Sequence, residues 1–101
     1  MPKKEWVVFF GEFQLLVRRR TQDGEVISFA VVLLTLHDGR WLDISRYDTA
    51  HGYPHRDVLG LNEGLRGKLR VTKLSLKQAF RYAIRDLTEN AKNYLEDFLA
   101  H

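Results

Sequence analysis

The chain has 101 residues, no cysteine, 45% hydrophobic and 12% aromatic residues, a net charge of +3 and a pI near 9.4. This length suits one domain over residues 1–101 with one ordinary core, and the composition excludes a disordered chain, a disulfide framework and a cysteine-ligated zinc site. The apolar run in the opening MPKKEWVVFFGEF is too short and too charged for a signal peptide or a membrane span, so the expectation is a cytoplasmic protein with no membrane association.

Trp6 to Arg20 reads as a first strand, with Val7, Phe9, Phe13, Leu15 and Val17 recurring at period two and Gly11 as a bulge or bend. Thr21-Gln-Asp-Gly24 carries an Asp-Gly hairpin signal. Glu25 to Leu36 is a second strand, His37-Asp-Gly39 a second tight turn, and Arg40 to Ala50 a third strand. Gly52-Tyr-Pro54 breaks the chain, and His55 to Leu59 forms a short fourth strand. Residues 60–73 read as a basic loop or a weak edge strand. Ser75 is an N-cap with Gln78 in capping-box position, and the apolar stripe from Leu76 to Leu99 predicts one helix of about 36 Å. The expected fold is α+β: an antiparallel meander of about four strands followed by one long C-terminal amphipathic helix, ββββα.

One helix covers one face, yet the second strand is apolar on both. Ile27, Phe29, Val31 and Leu33 point one way, and Val26, Ala30, Val32, Leu34 and Leu36 the other. The surplus apolar surface predicts a homodimer; the alternative is that residues 60–73 fold back over it.

The segment RYDTAHGYPHRD, Arg46 to Asp57, concentrates titratable groups. If Leu42 and Ile44 face the core, then Arg46 and Asp48 continue that face at its rim. The Gly52-Tyr-Pro54 bend brings Asp48, His51, His55 and Asp57 together. Three readings follow. In the first, His51 and His55 act as base and acid, Asp48 or Asp57 orients one of them, Tyr47 positions a base or donates a proton, and Arg46 and Arg56 bind phosphate. In the second, Asp48, His51, His55 and Asp57 hold a divalent metal for a hydrolase. In the third, the residues are structural: Asp48 pairs with an arginine, and Gly52 and Pro54 shape the turn.

Basic residues recur elsewhere. Lys77, Arg81 and Arg85 fall at i, i+4 and i+8 on the helix, a like-charge spacing that a phosphate-bearing partner would explain. Arg18 to Arg20 end the first strand with Arg19 on the opposite face from its neighbours. Arg66, Lys68 and Arg70 alternate along an extended segment, a pattern suited to a nucleic-acid backbone. His37 and His101 are expected to be solvated.

The pairing of RYDTAHGYPHRDVL (Arg46 to Leu59) with LSLKQAFRYAIRDLTENAKNYLEDF (Leu74 to Phe98) resembles a group of small single-domain prokaryotic proteins of uncharacterised function. Its core of Arg46, Tyr47, Asp48, Ala50, His51, Gly52, His55 and Asp57 is also loosely similar to an Arg-Tyr/Trp-Asp-Asn-Ala-Pro-His-His segment of small toxin components in some bacterial and archaeal toxin–antitoxin pairs. The chain lacks that Asn and the adjacent His pair. The resemblance implies RNA and a prokaryotic cytoplasm. The leading expectation is a nucleic-acid-acting protein, a toxin-like ribonuclease. The alternatives are a non-enzymatic, antitoxin-like dimeric module with a cognate protein partner, and a metal-dependent hydrolase.

Overall fold

The computed structural model describes residues 2–50 and 52–101. Six strands form one antiparallel sheet in chain order: β1 (Lys3–Phe10), β2 (Phe13–Gln22), β3 (Glu25–His37), β4 (Arg40–Asp48), β5 (His55–Gly60) and β6 (Gly64–Arg70). Two helices follow, α1 (Leu76–Glu89) and α2 (Ala91–Ala100). The class is α+β, but the expected four strands and single long helix are wrong.

Three local features account for the difference. Gly11 is the corner of a hairpin rather than a bulge: its φ of +55° turns the chain, and Phe10 pairs with Phe13. The expected first strand is therefore two. Residues 64–70 pair with β5 and close the sheet at its second edge. The helical stripe breaks at Asn90, where φ −110° and ψ 19° leave the helix, its backbone N–H bonds Asp86 O, and its amide donates to Asp86 Oδ1 at 2.8 Å. A short polar side chain that bonds its own backbone neighbourhood favours such a break. Both Asp-Gly turns form as expected, with positive φ at Asp23, Gly24, Asp38 and Gly39. The capping box at Ser75 forms as well, with Gln78 N donating to Ser75 Oγ at 3.1 Å and Ser75 N to Gln78 Oε1 at 2.9 Å.

The helices pack on one face of the sheet, α1 mainly against β3 and α2 against β4 and β5. Beneath them lie Phe13, Leu15, Val17, Phe29, Val31, Leu33 and Tyr47, joined by Phe80, Ala83, Leu87 and Phe98 from the helices. Among the described residues the other face carries no element. Its ladder rows run Val7–Leu16–Val32–Arg46–Asp57–Lys68 and Glu5–Arg18–Ala30–Asp48–His55–Arg70. One bulge sets the second half of these rows. Ile44 is inserted between the pairs Leu34–Asp43 and Leu33–Ser45, which reverses the parity of β4. Tyr47 therefore enters the core, and Arg46 and Asp48 do not continue the face of Leu42 and Ile44, as simple alternation predicts.

Candidate functional site: a buried ionic cluster beside a cationic cleft

β4 and β5 pair directly through Arg46–Asp57 and Asp48–His55, so the reversal between them aligns two titratable pairs on the open face. His55 and Asp57 are each only 1% exposed. Arg46 Nε donates to Asp57 Oδ2 at 2.6 Å, and Lys68 Nζ to Asp57 Oδ1 at 3.0 Å. His55 Nε2 lies 3.0 Å from Asp48 Oδ1, 3.4 Å from Asp57 Oδ1 and 3.4 Å from Lys68 Nζ, while Nδ1 faces the Tyr53 carbonyl at 3.3 Å. Burial raises the Asp57 carboxyl, but the bonds and charges of Arg46 and Lys68 outweigh it and hold it below the usual carboxylate range.

Asp48, His55 and Asp57 present ligand atoms within 4.8 Å of one another, a grouping that suits a divalent ion. The Lys68 ammonium already stands against both Asp57 and His55, so a metal ion has to displace it. The expected convergence of Asp48, His55 and Asp57 is found; the fourth member, His51, lies outside the described residues.

The other expected residues separate. Tyr47 is buried and donates to Asp86 Oδ2 at 2.6 Å; burial, and then that bond, push its phenol above the ordinary value. Arg56 projects to the helix side, where it bonds Ser45 Oγ at 3.2 Å and stacks over Tyr94 at 4.7 Å. Arg66 pairs with Asp97 at 2.8 Å, Lys68 belongs to the cluster, and Arg70 stacks over Tyr53 at 4.3 Å. The three therefore do not form one free stripe. His101, expected to be solvated, lies 3.2 Å from Glu63.

A cleft of about 650 Å³ opens beside the cluster, lined by Lys3, Arg18, Arg19, Arg20, Asp48 and Ala50 among others. Arg18 is tied to Glu5 at 3.3 Å. Arg19 sits over the rings of Trp6 and Phe80, and its Nε is the one buried side-chain polar atom among the described residues without a hydrogen-bond partner. The alternation expected for Arg18 to Arg20 is correct: Arg18 and Arg20 share the open face with Lys3, and Arg19 turns its guanidinium to the helix side. Only the strand register, which brings Lys3 opposite Arg20, shows this.

A six-stranded meander backed by two helices, with an ionic cluster on its open face, defines a small single-sheet α+β protein. The chain belongs to the family described as a domain of unknown function (DUF7718), whose model matches residues 1–101. No curated protein and no solved structure matches it.

Proposed function

We propose that the protein binds single-stranded RNA, with the phosphate backbone in the cleft of Lys3, Arg18 and Arg20. The observation that carries this reading is the meeting of three cations, Lys3, Arg18 and Arg20, on one face of a concave site whose wall includes Asp48. Phosphates gain most from cations gathered in a groove, where released counterions drive association. Asp48 ties the cleft to His55, and the burial of His55 suits a brace that fixes the cleft wall better than a group that meets substrate.

The test is anisotropy of labelled single-stranded RNA over a range of salt. Saturable binding that weakens with salt is expected. The Arg18→Gln/Arg20→Gln double variant should shallow the log–log slope by about 1.4, since each lost phosphate contact contributes about 0.7. Identical binding by the double variant would refute the assignment. RNA cleaved in the same tubes, and spared by His51→Ala, would extend the reading to the ribonuclease expected from the sequence.

A second reading is favoured by β1. All but one of its residues are exposed, Trp6, Val7, Val8 and Phe9 among them, and one edge of its backbone has no strand partner among the described residues. An apolar, unpaired edge strand fits antiparallel pairing with a second copy about a two-fold axis. Sedimentation equilibrium checks it: a dimer is expected for the native chain, and a monomer at every concentration excludes it.

A further inference from the structure

On the helix side, away from the cleft, one exposed tyrosine separates two depressions. Tyr82 of α1 is 42% exposed. To one side lies a pocket of about 490 Å³ whose lining includes Tyr47, Tyr82, Tyr94, Arg56, Arg70 and Leu69. To the other lies a depression of about 390 Å³ with Arg81, Arg85 and Gln78. Arg56 thus borders the first depression and Arg81 and Arg85 the second, while the Arg70 guanidinium is taken up by Tyr53. None of Arg56, Arg81 and Arg85 has a carboxylate partner among the described residues, whereas Arg18, Arg46 and Arg66 do.

The pocket is built rather than incidental. Asp86 Oδ2 accepts from both Tyr47 Oη and Tyr94 Oη at 2.6 Å, and Asn90 holds the other carboxylate oxygen. The two phenols are therefore fixed with their donors spent, and they present ring surface to the pocket. Tyr82 stands nearly perpendicular to Tyr47, with ring centroids 6.1 Å apart and planes at 89°. Arg56 is held in place by Tyr94 and Ser45. The volume lies in the range of small-molecule sites, and the lining combines apolar area with a few convergent polar groups.

We propose that this is a nucleotide-binding site, in which an unpaired base stacks on Tyr82 inside the aromatic pocket and its phosphate is taken by the surrounding arginines. Aromatic faces accept any base, and guanidinium groups bind phosphate through paired donors. The like-charged spacing of Arg81 and Arg85 on α1, unfavourable in the free helix, becomes favourable once a phosphate lies against it. The site shares no residue with the cleft and does not depend on that reading.

The experiment is calorimetric titration with adenosine monophosphate, uridine monophosphate, adenosine and inorganic phosphate as separate arms. Both nucleotides should bind saturably and more tightly than nucleoside or phosphate alone. Tyr82→Ala should weaken nucleotide binding at least about fivefold, the loss expected for one base–aromatic stack. Tyr82→Phe should stay near native, and Arg81→Gln/Arg85→Gln should weaken nucleotide but not adenosine. Arg18→Gln/Arg20→Gln, which tests the cleft, should leave mononucleotide binding unchanged. These substitutions lie on exposed side chains, so the fold is retained. No saturable nucleotide binding at millimolar concentration, or full binding by Tyr82→Ala, overturns the site. Equal binding of phosphate and nucleotide overturns the base pocket.

Discussion

Along one ladder row of the open face, Val7, Leu16 and Val32 are followed by Arg46, Asp57 and Lys68. The apolar half is left to solvent: Val7 is 42% exposed and Phe9, one row on, 68%. In the ionic half the central carboxylate is 1% exposed, beneath two partly exposed cations. The usual expectation has apolar groups inside and charges outside. The difference follows from length and complementarity. Arg46 and Lys68 have long stems that reach over Asp57 and both bond it, so three charges cover one another. Among the described residues, no helix or further strand lies on that face for the valines and leucine to bury against. The ionic half is complete within the chain, and the apolar half is not.

The largest effect should come from breaking the ionic half. Asp57→Ala removes the carboxylate from two cations and should cost about 2–3 kcal/mol in urea unfolding. That lies below the 3–5 expected for a fully buried pair, because Arg46 and Lys68 are each more than a third exposed. An unchanged midpoint would show that the cluster stabilises nothing. Acid should act through the same residue. The folded carboxyl titrates below 3.8, so its contribution is present above that value and is lost as pH falls through the lower folded value. The native chain should therefore lose stability below about pH 4 more steeply than Asp57→Ala, which denaturation at stepped pH can check.

A sharper comparison extends the apolar half across the sheet. Arg46→Met/Asp57→Leu/Lys68→Met replaces the charges together, and its stability should fall within about 1 kcal/mol of native or exceed it. A triple variant as unstable as Asp57→Ala would mean that the charges contribute net stability and not only mutual compensation. The smallest effect belongs to the apolar half. Phe9→Lys should change monomer stability by no more than about 0.5 kcal/mol while lowering the apparent mass in sedimentation if β1 joins two copies. A large loss of stability instead would mean that Phe9, which meets Trp41 edge-on at 6.2 Å, anchors the sheet.

Where the chain announced structure through local chemistry, the sequence was legible. Asp-Gly at 23–24 and 38–39 set two hairpins, Ser75 with Gln78 started α1, and the Gly52-Tyr-Pro54 bend returned His55 and Asp57 to Asp48. Three features had no unique local sign. A glycine within an apolar run reads the same for a bulge and for the Gly11 hairpin. The Ile44 bulge leaves no mark in composition, yet it moves Tyr47 from one face to the other. Nothing local marks Asp86 as a buried acceptor, and only tertiary packing shows it receiving two tyrosines from different elements. The approach of His55 and Asp57 to Asp48 was therefore readable from the turn, and the phenol network was not readable at all.

The order of the strands has a consequence for biogenesis. Each strand pairs with the one just before it, so the sheet can assemble by successive short closures, a topology that favours rapid folding. The helices come last in the chain. On the ribosome, Phe29, Val31 and Leu33 must wait without their cover until α1 has emerged. A nascent sheet with both faces bare is the stage at which this protein is most open to aggregation and to capture by chaperones.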